Sequence, residues 1–401
     1  MRLQLPPKVT RIIHTLQANG YEAYAVGGCV RDMILGRAPD DWDITTSAHP
    51  QQVKRIFLRT VDTGLAHGTV TVLLGEDSYE VTTYRIDGEY EDHRHPSHVE
   101  FSAELAEDLR RRDFTINAMA YNREQGLVDL FGGMEDLQKR RICCVGDARE
   151  RFQEDALRIL RAVRFSAQLG FSIESGTEEA LRELAGSLAC VSAERIQVEL
   201  VKLLLSGHPE YVLRLFDMGI APVALPEMAE SALEAETLEK AAARLKKTPP
   251  QKALRLSVLL YPIGEKKAGQ ALRRLRFDNH TIDTARRLVR WHDYPLPEDP
   301  VAIRQAAAQM GEDLFPLVLQ VQETYRDVSA VRGLWGEILQ KGQCISLKSM
   351  CVSGNDLITL GMKPGRAIGE CLGELFQDVL ENPEHNTRQY LLECAKRKLE
   401  Q

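Results

Sequence analysis

Residues 21–46 decide how this chain is read. Tyr21-Glu22-Ala23-Tyr24-Ala25-Val26 runs into Gly27-Gly28, then Cys29-Val30-Arg31-Asp32-Met33-Ile34-Leu35-Gly36, and soon after Asp41-Trp42-Asp43-Ile44-Thr45-Thr46. The first run is short and apolar and predicts a strand over 21–26; helical spacing follows over 29–35 and stops at Gly36, a suitable C′ glycine. Residues 41–46 alternate and are rich in β-formers, which predicts a second strand. Glycines at a strand-to-helix turn let backbone N–H groups approach a phosphate, and the helix start adds a favourable dipole. Arg31, one turn in, can add a charge-assisted contact. In a strand, residues i and i+2 point the same way, so Asp41 and Asp43 can project together and hold one or two divalent cations. Mg²⁺ prefers a few carboxylate oxygens plus substrate phosphates. Alone, the glycine pair also fits a tight turn with no ligand, and the two acids a plain strand start. Their combination between Gly28 and Asp43 is rarer.

Further along, 68–74 and 79–85 predict a hairpin joined by Gly75-Glu76-Asp77-Ser78, and its second arm carries Glu80, a candidate third acid. Short strands are expected at 128–131 and 142–145. Arg110-Arg111-Arg112-Asp113-Phe114-Thr115-Ile116-Asn117-Ala118 is costly to bury without anionic partners. It fits a solvated helix end, or a site where Arg112 meets a nucleotide and Asp113 accepts from its ribose.

From about residue 149 strand patterns nearly vanish. One amphipathic helix is predicted over 150–169 up to Gly170, others over 193–205 and 209–218, and more of the same from Lys240 onward. On the 150–169 helix, Asp155, Arg158 and Arg161 would share one polar stripe, with Arg164 beyond. Ordinary ion pairs explain such a stripe, although lysine is absent from it. An aspartate only accepts hydrogen bonds and an arginine only donates. Side by side they suit a base edge with an amine next to a ring acceptor, as in cytosine and adenine, and mismatch uracil and guanine.

A length of 401 residues allows two to four domains, and 44% hydrophobic with 27% charged residues is the range of globular proteins. No leader or membrane span is expected, because prolines interrupt the N-terminal run and no stretch nears about 18 apolar residues. The eight cysteines form no C-x-x-C pair, which excludes a zinc framework of that kind and suits a reducing cytoplasm. A net charge of −7 disfavours nucleic acid as a partner unless a basic face is segregated. Three groups could form one: Lys240, Arg244, Lys246, Lys247 and Lys252; Arg273, Arg274 and Arg276; Arg286, Arg287 and Arg290. Each also fits a solvated helix face.

The segments 26–32, 41–43, 111–118, Glu154-Asp155-Ala156-Leu157-Arg158, Ala193-Glu194-Arg195-Ile196 and the run from Val352-Ser353-Gly354-Asn355-Asp356-Leu357 through Pro364-Gly365 resemble the class II tRNA nucleotidyltransferases, the bacterial and eukaryotic CCA-adding enzymes and bacterial poly(A) polymerases. Within that family the chain resembles bacterial CCA-adding members without a phosphohydrolase domain: no histidine–aspartate pattern follows residue 200, and His292-Asp293 reads as a helix end.

The resemblance implies an α+β, polymerase-β-like head at 1–148 followed by all-α neck (149–206), body (207–292) and tail (293–401). It implies Asp41 and Asp43 as Mg²⁺ ligands with Glu80 as third acid. Gly28, Arg31 and Arg112 would contact the nucleotide and Asp113 its ribose, Asp155 and Arg158 would read the base, and Arg161 and Arg164 would support the triphosphate or the reader. Glu194-Arg195 would brace the reading helix. The implied partners are ATP, CTP and the acceptor arm and 3′ end of tRNA, with a homodimer allowed but undecided by sequence. Addition of CCA is the leading expectation, with poly(A) synthesis or A-only addition as alternatives. Residues 87–96 are the expected switch from C to A addition.

Overall fold

The computed structural model describes residues 2–87, 99–231 and 233–399, so the expected switch at 87–96 lies outside the described residues beyond Asp87. Two compact units emerge, Met1–Ala232 and Leu233–Gln401, and the division falls inside the segment 207–292 expected to be one body.

The first unit is built on a seven-stranded sheet. Its strands are β1 (Ala23–Val26), β2 (Asp43–Thr46), β3 (Thr60–Gly64), β4 (Thr69–Leu74), β5 (Asp77–Thr83), β8 (Met119–Asn122) and β9 (Gly126–Asp129), in the order β3-β4-β5-β2-β1-β8-β9. Two small ribbons stand apart: β6 (Arg85–Asp87) pairs with β7 (Val99–Phe101), and β10 (Arg141–Ile142) with β11 (Ser172–Ile173). In the large sheet β2 and β5 run parallel, with Asp43 opposite Glu80; the other pairs are antiparallel. Every residue of β1 and β8 is buried, as expected for inner strands covered on both faces. The edge strand β3 is largely exposed and carries Asp62, which pairs with Lys54 at 2.9 Å; such edge charge discourages pairing with another chain.

Two expectations change here. The second strand begins at Asp43, not Asp41, so the alternation of a pleated strand does not align the two carboxylates. The helix expected over 150–169 is two helices, α6 (Ala148–Glu154) and α7 (Leu157–Leu169). Asp155 stands in extended backbone between them, and its own carboxylate accepts the Leu157 N–H at 3.1 Å. A side chain that caps the next helix in this way competes with continuation of the first. α7 ends at Gly170, where φ is +68°. It packs on α9 (Ala193–Leu204).

Among its described residues the second unit contains helices and no strand, as expected beyond residue 232. One of its cores gathers Leu357, Leu375, Val379 and Leu391. His292 caps the C-terminus of the helix Asn279–Trp291 and is 1% exposed. It stacks between Tyr261 (ring centroids 3.7 Å apart) and Tyr325 (5.2 Å), and its Nε2 lies 2.7 Å from Arg244 Nη1. Burial, then Arg244 and Arg326, push its pKa down to about 3, and Asp293 at 4.0 Å does not offset them. The folded chain therefore refuses a proton that the unfolded chain accepts below about pH 6.5. Stability of this unit is expected to fall between about pH 6.5 and pH 3. His292→Gln keeps an acceptor for Arg244 and should flatten that slope by up to about 1.4 kcal/mol per pH unit. The fluorescence of Trp291 and Trp335 during denaturation reports it; parallel slopes for both proteins would reject this account.

Candidate active site

The turn after β1 needs glycine. Gly27 has φ +80°, and a Cβ there would sit 2.9 Å from Arg112 Nη1. L side chains disfavour that φ, and the space is already taken by a guanidinium. The sequence analysis singled out Gly28; the structure puts the backbone demand on Gly27. α2 (Gly28–Ile34) then delivers Arg31, which grips Asp32 with two 2.9 Å bonds and gives Nη1 to Asn117 Oδ1 at 2.6 Å.

From Asn117 the polar network continues without a gap. Asn117 Nδ2 donates to Asp113 Oδ1 at 3.1 Å, and Arg161 donates to Asp113 Oδ2 at 2.8 and 2.6 Å. Arg161 also lies 3.7 Å from Glu199 of α9, whose other oxygen takes Arg164 Nε at 2.8 Å. Arg164 Nη1 ends the chain on Gln168 Oε1 at 2.8 Å. Burial alone would raise the Asp113 carboxyl; Arg161 and Asn117 outweigh it and hold it well below the usual carboxylate range. Phe165 backs the network, with the Arg164 guanidinium 3.5 Å from its ring centroid and those of Arg31 and Arg161 at 5.2 and 5.3 Å.

Arg112 leans on Asp108, which also takes Arg111 at 2.6 Å. Burial would raise Asp108 too, and the two arginines pull it below its ordinary value. Arg112 Nε remains buried with no partner, an orphaned donor facing a need for an anion.

These groups open on one recess of about 510 Å³. Gly27, Gly28, Arg31, Asp41, Asp43, Arg112, Asp113, Arg161 and Arg164 line it, so most of the expected residues meet there. Asp40, Asn117, Phe165, Gln168 and Lys202 line it as well. Asp43 is raised above its ordinary pKa, first by desolvation and then by Asp41, with Arg112 opposing. Glu80, across the β2–β5 ladder, is raised by desolvation, then by Asp43 and Asp41. Negative charge is thus crowded here and only partly relieved by Arg112, which a divalent cation would correct. Among the described residues no three acids, histidines or cysteines form a closed metal cluster. Two carboxylates at an open position suit Mg²⁺, which takes its remaining ligands from water and phosphate.

Glu80, Asp155 and Arg158 do not line the recess. Asp155 accepts from Arg195 at 3.1 and 2.8 Å, so Arg195 does brace the start of α7. Arg158 is buried, donates to the Arg151 and Arg111 carbonyls at 3.0 and 2.9 Å and pairs with Glu154. Asp155 therefore lies in the break itself and Arg158 in the first turn of α7, so the two do not share one helix stripe.

Comparison with known proteins follows this geometry. The poly A polymerase head domain family matches residues 23–143, the RNA and SrmB-binding segment of polymerase A matches 170–231, and domain 2 of tRNA nucleotidyltransferases matches 248–395. A CCA-adding enzyme from Enterococcus faecalis is 37% identical over 389 residues, covering 96% of this chain and 94% of its own. The chain belongs to the CCA-adding family of tRNA nucleotidyltransferases. A Geobacillus kaustophilus CCA-adding enzyme is 38% identical and covers 94% of this chain and 93% of its own. The Bacillus stearothermophilus CCA-adding enzyme, solved in complex with CTP, superposes with a TM-score of 0.83 at 31% identity, covering 99% of this chain and 100% of that one. This nucleotidyltransferase thus has the family's sheet-built head and mostly helical remainder, as expected from its sequence. No helix of the described residues is long and apolar enough to cross a membrane.

The basic groups of the second unit are largely engaged locally. Lys240 pairs with Glu236, Lys252 with Asp278, and Arg286 with Glu265 and Asp283. All three pairs are solvent-exposed, as on a solvated helix face.

Proposed function

We propose that this enzyme adds C, C and A in order to the 3′ end of tRNA from CTP and ATP, releasing pyrophosphate, in the cytoplasm. The observation that carries the reading is the recess itself, where paired acids and four arginines surround a glycine turn. Asp41 and Asp43 would hold Mg²⁺, one ion or two, with Glu80 adding negative charge beside them. Bound there, the metal would supply charge stabilisation for an attacking hydroxyl and a leaving phosphate. Gly28, Arg31 and Arg112 bind and orient the triphosphate, and Arg161 and Arg164 support it. Asp113 meets the ribose while keeping Arg161.

Asp155 and Arg158 read the base. Asp155 Oδ2 accepts one bond from Arg195, and Arg158 Nη2 donates one to Arg111, so each has a lone pair or N–H left to offer. Cytosine and adenine complement that acceptor–donor pair. The head, neck, body and tail of the sequence reading, 1–148, 149–206, 207–292 and 293–401, are the working parts, the last two for the acceptor arm. A homodimer is compatible with this scheme.

The test is incorporation on tRNA lacking CCA with each triphosphate alone. CTP should be taken and UTP and GTP refused, ATP should follow once CC is in place, and chelation should stop all incorporation until Mg²⁺ is restored. Equal use of all four triphosphates, or activity that survives chelation, would reject the reading.

A further inference from the structure

The arginines of the recess are already committed to acids: Arg31 to Asp32, Arg112 to Asp108, Arg161 to Asp113, and Arg164 to Glu199. Lys202 is different. It lines the same recess from α9 and is exposed, and among the described residues its side chain makes no ion pair or hydrogen bond. It lies three residues after Glu199, so the two share a helix face, and Glu199 holds Arg164 and approaches Arg161. Arg164 in turn holds Gln168, another wall of the recess.

Position along α7 indicates which part of the substrate Lys202 meets. The residues that read the base stand at the start of this helix, and Arg161, Arg164 and Gln168 follow in order. From Arg158 to Gln168 the helix rises by about 15 Å. That is the span of an extended nucleoside triphosphate, with the base at one end and the terminal phosphate at the other. A paired arginine must share its acid to bind phosphate, whereas an unpaired ammonium gains the full attraction.

We propose that Lys202 binds the β- and γ-phosphates of the incoming nucleotide and holds the pyrophosphate as it leaves. In the transfer, the 3′ oxygen of the RNA bonds to the α-phosphorus and the bridging α–β P–O bond breaks. The electron pair leaves on pyrophosphate, and the hydroxyl proton passes to solvent. Lys202 keeps its own proton and meets the negative charge that gathers on the leaving group. This assignment rests on the nucleotidyl-transfer reading above.

The experiment compares the full-length enzyme with Lys202→Ala and Lys202→Arg. Three quantities are measured: KM for CTP and ATP, KM for tRNA, and inhibition by inorganic pyrophosphate. Lys202→Ala should weaken pyrophosphate inhibition and raise KM for both nucleotides by roughly ten- to a hundredfold, the scale of one charge-assisted hydrogen bond. KM for tRNA should stay unchanged, and Lys202→Arg should recover most of the loss. Unchanged pyrophosphate inhibition in Lys202→Ala, or a rise confined to KM for tRNA, would overturn the assignment. If the unaltered enzyme incorporates no nucleotide, the function reading fails instead; pyrophosphate binding by calorimetry still tests Lys202 directly.

Discussion

Asp43→Asn is expected to reduce nucleotide incorporation by about a hundred- to a thousandfold or more, the scale for losing one group that stabilises charge in a transition state. It should leave the fold as stable as before or slightly more so. The Asp43 carboxyl is raised above its ordinary value by desolvation and by Asp41, so the charged form is disfavoured where it stands. A raised folded-state pKa means that protonation favours folding; the benefit is present at low pH and is lost as pH rises through that pKa. At neutral pH the ionised group therefore costs stability, and asparagine removes the cost along with the attraction to Arg112. Paired activity and thermal-melting measurements check both halves. A variant that loses activity only in proportion to lost folding would show that Asp43 is structural.

Asp155→Asn should damage selectivity more than rate. The carboxylate can only accept, whereas the amide can turn its N–H₂ toward a carbonyl. Uracil then finds a donor where it previously met an unpaired acceptor, whose burial costs about 1–3 kcal/mol. Preference for CTP over UTP should fall by roughly ten- to a hundredfold. Arg195 keeps one acceptor in the amide oxygen, so the break between α6 and α7 should persist. Competition between CTP and UTP on one acceptor measures the ratio. An unchanged ratio with intact folding would take Asp155 out of base reading.

Much of the site was legible because its chemistry is local in sequence. The glycine turn, Asp41 with Asp43, and Arg112 with Asp113 each lie in one short run, and all of them line the recess. Spacing also carries the signal for Asp108, which stands three and four residues before Arg111 and Arg112 and so binds both. The break at Asp155 was invisible, since residues 150–169 keep helical periodicity across it. Only the capping bond to Leu157 and the distant Arg195 show why the helix stops. Glu199 and Lys202 were hidden for a similar reason, because nothing within α9 announces that it faces α7 across the recess. β8 was missed because Met119–Asn122 is four residues long and lacks alternation.

The most direct test of the central claim is nucleotide addition with CTP and ATP together. The acceptors are tRNA lacking CCA, tRNA ending in C, tRNA ending in CC, and oligo-A RNA. The account predicts completion of each tRNA to CCA, then arrest, with oligo-A left untouched. Open-ended A addition to any RNA, or A addition to the CC-ended tRNA alone, would contradict it.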